Sequence, residues 1–161
     1  MRKLILLSIL VSFCYNSHAQ LCRFEKTNGL ESATYFEAID WYKNLDKASA
    51  KVLVKEMGMS DAGYPLHLVL VSNDGKFDAV QWHKQNKAVI LINNGIHPGE
   101  PDGIDASMML VRDIVIGKVK IPDNVSLAFI PVYNIGGCLN RNSYSRANQN
   151  GPLEYGFRGN S

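Results

Sequence analysis

Two side chains in this sequence could share a metal ion. His97 and Glu100 stand three residues apart, with Pro98 and Gly99 between them. An imidazole nitrogen and a carboxylate oxygen are both good zinc donors. A catalytic zinc takes three protein ligands and keeps one position open for water. Pro98 and Gly99 favour a tight turn, which lets the two side chains converge on one point. The pair supplies two ligands of such a set. A His-x-x-Glu spacing also suits an ordinary surface turn, so its meaning depends on where the chain places it.

The other candidates are weaker. His67 lies inside an apolar strand pattern and His83 beside Trp82, and both read as structural. Asp102 and Asp105 suit a helix start, where negative charge is favourable. The sequence holds no Gly-rich phosphate loop and no G-x-S-x-G elbow.

The elements around the loop decide how it is held. Residues 88–92 form a continuous apolar run that ends at Asn93-Asn94-Gly95, the pattern of a strand buried on both faces. Beyond Asp102, the residues Ile104, Met108, Val111 and Val115 recur at helical spacing, and Gly117 suits the helix stop. Residues 125–132 form a second apolar strand. Strand, helix and strand in this order predict a crossover onto a parallel pair. Ligands in such sheets gather at the strands' C-terminal ends. His97 follows one such end, and Tyr133 and Asn134 follow the other, so the two loops should be neighbours.

Upstream, Thr34 and Glu37 form a capping box, which predicts a helix over 35–48. Residues 52–54 and 66–71 read as neighbouring strands. Residues 20–33 read as a polar lead-in, and the chain after Asn134 shows no periodicity.

The bulk numbers narrow the class. The 161 residues are 46% apolar and 20% charged, as in a globular protein, and they suffice for one domain. The formal charge is +2, and setting Arg2 and Lys3 aside brings the 17 basic residues down to the 15 acidic ones. Such a balance argues against nucleic acid or an anionic membrane as partner. Arg2 and Lys3, the apolar residues 4–11 and the small residues around Ala19 read as a secretory leader cut near Ala19-Gln20. The expectation is export to the periplasm or the extracellular space, with no membrane anchor. Cys14 leaves with the leader. Cys22 and Cys138 remain, and an oxidising compartment would permit but does not dictate a bridge between them.

The segment from Asn93 through His97-Pro98-Gly99-Glu100 to Leu110 resembles the first zinc-ligand motif of the carboxypeptidase A-like metallopeptidases, in particular a bacterial secreted branch. The stretch 131–137 is similar to that family's Asn-Pro-Asp-Gly turn, with Pro-Asp replaced. Residues 146–152 and 155–160 also resemble that branch. The resemblance implies an α/β fold with a partial mixed, largely parallel sheet flanked by helices. It implies one catalytic Zn2+ held by His97 and Glu100, and peptide or protein C-termini as substrate. It also implies an arginine that polarises the scissile carbonyl. Arg158 fits that register first, Arg146 second and Arg141 third. The family's third ligand and general base find no counterpart within the 161 residues. Residues 20–161 are therefore expected to be the front part of a zinc carboxypeptidase domain, inactive by itself. A peptide-binding domain without catalysis and a related zinc deacylase are the alternatives.

Overall fold

Thr34 opens the first long helix through its side chain. Its hydroxyl accepts the Glu37 amide while Glu37 accepts the Thr34 amide at 2.9 Å. The computed structural model describes residues 20–146 and 150–159. The leader expected over 1–19, with Cys14, lies outside them, as do Asn148 and Asn160 of the two Arg-x-Asn motifs.

The chain begins with a one-turn helix α1 (Arg23–Lys26) and continues into α2 (Tyr35–Ala48). A hairpin follows, β1 (Val52–Met59) and β2 (Pro65–Val71), then a short helix α3 (Ala79–Lys84). The next unit is β3 (Ala88–Asn93), α4 (Asp102–Val115) and β4 (Val125–Ile130), and α5 (Ile135–Leu139) closes the order. The sheet is mixed, in the order β1-β2-β4-β3. The β3–β4 pair is parallel, running from Ala88 opposite Val125 to Asn93 opposite Ile130, while β1–β2 and β2–β4 are antiparallel. The expected α/β fold with helices flanking a mixed sheet is thus present.

Helical spacing places one stripe of each long helix against the sheet. Tyr42 from α2 and Ile104, Met108 and Val111 from α4 pack with Val69, Val71, Leu127 and Phe129 in one core. The opposite face is covered in part by α3, whose Trp82 packs with Leu70 and Ala128. No described helix is long and apolar enough to cross a membrane.

The sequence pattern predicts β3 buried on both faces, and the structure differs. Val89, Ile90 and Leu91 are 49%, 49% and 60% exposed. Among the described residues, strand β3 stands last in the sheet with β4 as its one neighbour. The buried cluster around Trp82 of α3 includes Ala128 of β4 and no residue of β3. A run of apolar residues reports what a strand can bury, and its neighbours decide what it does bury.

Candidate metal centre

Strand β3 hands the chain to the His97 loop at the same sheet end where β4 releases its own loop. Backbone hydrogen bonds continue past the strands: Asn94 donates to Ile130, Tyr133 to Asn94 and Asn134 to Gly95, at 2.8 to 3.0 Å. The two loops are therefore neighbours, as the crossover requires. The buried Asn94 side chain also donates to Ser107 Oγ at 2.9 Å, which ties the strand end to α4.

Within the loop, the Glu100 amide donates to the His97 carbonyl at 2.8 Å. This closes a tight turn over Pro98 and Gly99. Pro98 is buried, while the His97 and Glu100 side chains are 39% and 45% exposed. His97 Nδ1 stands 3.8 Å from Glu100 Oε2. Two donors on one tetrahedral zinc stand about 3.4 Å apart, given bond lengths near 2.1 Å. The imidazole and carboxylate therefore fit a shared zinc after a shift of a few tenths of an ångström. They face a depression of about 340 Å³, also lined by Asn93, Gly95, Asp102 and Gly103. Among the described residues, no group of three or more His, Cys, Asp or Glu side chains could hold a metal ion.

The three arginines fall in different places. Arg146 Nη1 donates to Glu100 Oε1 at 2.8 Å, and its side chain is only 15% exposed. That hydrogen bond is the main reason the Glu100 carboxyl is held below the usual carboxylate range; the charges of Arg146, His97 and Arg158 add to it. Arg158 is exposed. Arg141 has its hydrogen-bond partners outside the His97–Glu100 loop. It donates to the backbone of Ser32, Ala33 and Glu154, so its role is to clamp the chain's lead-in.

A third segment completes the site. Gly156 donates to the Pro98 carbonyl at 3.1 Å and Phe157 to the Gly137 carbonyl at 2.7 Å. Asn134 Nδ2 reaches the carbonyls of Arg158 at 3.3 Å and Gly159 at 3.1 Å. Sequence reading missed the structural part played by Tyr155, whose hydroxyl accepts the Arg146 amide at 3.1 Å. Nothing in the sequence separates Tyr155, which is buried, from the exposed Tyr144 and Phe157 of the same tail.

Of the remaining histidines, His67 is buried on β2, with Nδ1 3.4 Å from the Tyr35 hydroxyl. Burial lowers its pKa, so it is a neutral core residue. His83 lies on α3, exposed. His67 is thus structural, while His83 is a surface residue and not the structural one its pattern suggests. Cys22 and Cys138 are buried free thiols.

A zinc carboxypeptidase family profile matches residues 38–156. No curated protein sequence matches. Among solved structures, the fold is similar to carboxypeptidase A from Helicoverpa armigera, with TM-score 0.58 and 20% identity, covering 68% of this chain and 26% of that one. It is similar to bovine thrombin-activatable fibrinolysis inhibitor, solved with tick carboxypeptidase inhibitor, at TM-score 0.55 and 21% identity, covering 67% of this chain and 33% of that one. A carboxypeptidase A-like protein of Shewanella denitrificans gives TM-score 0.53 and 19% identity, covering 65% and 26%. The chain thus spans between a quarter and a third of the length of these structures.

Proposed function

Because the chain belongs to the zinc carboxypeptidase family, we propose that it is part of a zinc-dependent metallocarboxypeptidase that removes C-terminal residues from peptides. The observation that supports this is the convergence of His97 Nδ1 and Glu100 Oε2 at the end of β3, inside the matched segment. Those two atoms would hold the ion. Zinc, when bound, supplies a Lewis acid and makes water nucleophilic near neutral pH.

The chain's own residues supply orientation and charge. A guanidinium aimed at the carbonyl oxygen stabilises the negative charge that develops there. The family register favours Arg158 for that role, with Arg146 as the alternative; Arg158 is exposed to an incoming substrate, whereas Arg146 is engaged by Glu100. None of the 161 residues is assigned the third ligand or the general base. The leader-like pattern of residues 1–19 supports export, so the substrates proposed are peptides or protein C-termini outside the cytoplasm.

The test has two arms. The 161-residue chain is titrated with zinc while the His97 imidazole and the Gly99 and Glu100 amides are followed by NMR; weak binding is expected, and the amide shifts should be lost in His97→Ala. Peptidase activity is then assayed on the longest polypeptide encoded with this chain. Release of the C-terminal residue from a free peptide, but not from its amidated form, is expected, and His97→Ala and a chelator should abolish it. Peptide retention without release would favour the binding-domain reading instead. Hydrolysis by the 161-residue chain alone, above its His97→Ala control, would overturn the assignment of the missing groups.

A further inference from the structure

Glu100 uses its two oxygens differently. Oε1 accepts Arg146 Nη1 at 2.8 Å, while Oε2 is the atom turned toward His97 Nδ1 at 3.8 Å. Arg146 is seated more firmly than either residue of the pair, at 15% exposure against 39% and 45%. Its backbone amide is held by the Tyr155 hydroxyl at 3.1 Å. Its aliphatic stem crosses the loop directly over Gly99.

Gly99 explains how that crossing is possible. A Cβ at this position would stand 2.5 Å from Arg146 Cδ and 2.9 Å from the Gly156 carbonyl oxygen. Gly99 has no positive φ, so backbone freedom does not require glycine here. What requires it is room. The loop thus carries a proline that fixes the turn and a glycine that admits the arginine.

We propose that Arg146 is the positioning residue of Glu100, fixing the carboxylate through Oε1 so that Oε2 alone is presented to the metal, and that Gly99 exists to seat it. Metal-ligating carboxylates held by an outer hydrogen bond keep their orientation at small entropic cost, and losing such a partner typically costs about 10–100-fold in metal affinity. The opposing effect is simple repulsion between a guanidinium and a zinc ion, which removal of Arg146 would relieve. The two effects have opposite signs, so the measurement separates them. The metal-binding half of this proposal rests on the zinc carboxypeptidase reading; the seating of Arg146 does not.

The first arm therefore uses no metal. The guanidinium signals of Arg146 are recorded by nitrogen NMR in the whole chain. Slow rotation is expected, lost in Glu100→Gln and in Gly99→Ala, with circular dichroism confirming that both variants fold. Fast-averaged signals in the wild type, or signals unchanged in Glu100→Gln, would overturn the seating. The second arm titrates zinc chloride and follows His97. Arg146→Met should weaken binding by about tenfold, and Arg146→Lys should recover part of that loss. Tighter zinc binding by Arg146→Met would establish repulsion as the dominant effect and sink the positioning role. If His97 ignores zinc in the wild type, the zinc reading fails, and the first arm still decides whether Arg146 is seated.

Discussion

Asn134 donates its side-chain amide to the Gly159 carbonyl at 3.1 Å, across 25 residues of chain. Its Oδ1 meanwhile accepts the Gly137 amide at 2.9 Å and starts α5. One side chain thus joins the end of β4 to the last described segment, and that segment supports the His97 turn through Gly156. Asn134→Asp keeps the acceptor and removes the donor, placing negative charge against backbone carbonyls. A loss of about 2 kcal/mol is expected, read by urea unfolding. Faster hydrogen exchange at Gly156 and Phe157 should accompany it.

Gly137 sits where that segment crosses α5. A Cβ there would stand 2.5 Å from the Phe157 carbonyl oxygen and 2.7 Å from that of Gly159. Both obstacles are backbone, which cannot rotate away. Gly137→Ala should cost roughly 1–3 kcal/mol, with chemical-shift changes reaching Pro98 and Gly99.

Asp105 is a buried carboxyl that accepts a hydrogen bond from the Ala33 amide at 3.0 Å. Burial pushes it up to about 6, against the pull of the Ala33 hydrogen bond and the Arg141 charge. A carboxyl raised in the folded state holds its proton more tightly there than in the unfolded chain. Its ionisation therefore costs stability as pH rises from about 4 through 6, and the full cost persists above. Asp105→Asn keeps the acceptor and removes the charge. Relative to wild type, the variant should gain stability across that window, on the order of 2 kcal/mol by pH 7.5. Thermal melts of both proteins from pH 4 to 7.5 would show it, and parallel curves would refute it.

Arg112 grips Glu25 through both carboxylate oxygens, Nη1 to Oε1 being 2.6 Å, and also holds Asp113. Its side chain is 7% exposed, so this is no surface pair. Arg112→Met leaves Glu25 without its cationic partner, while Asp113 keeps Lys118 at 2.7 Å, and should cost about 3 kcal/mol. Limited proteolysis should then cut first within residues 20–33, the segment that Glu25 anchors.

Burial raises the thiols of Cys22 and Cys138 to about 11. A thiol is nucleophilic as thiolate, so neither should react readily at neutral pH. Maleimide labelling of the native chain should leave Cys22 and Cys138 unmodified over minutes, and urea should expose both.

Local order was the legible part of this sequence. Thr34 and Glu37 announced α2, and the Ile104–Met108–Val111 stripe announced α4, because capping and periodicity are short-range properties. Helices α1, α3 and α5 escaped notice because 4 to 6 residues cannot show a period. The His97–Glu100 pair was legible from spacing. Its link to Arg146 spans 46 residues and follows from the fold alone. Arg141 stood third in the family register, and its hydrogen bonds to Ser32, Ala33 and Glu154 span residues far apart in the chain, which no register shows. The burial of β3 was misjudged for the same reason: it belongs to the neighbours.

That strand has a practical consequence. Ala88–Asn93 reads Ala-Val-Ile-Leu-Ile-Asn, six residues without charge, proline or glycine, and one side of its backbone has no partner among the described residues. Such a segment is a template for intermolecular cross-β stacking. Concentrated solutions of this chain should become turbid and bind thioflavin over days. A single lysine at the 60%-exposed Leu91 would act as a gatekeeper and extend their working life.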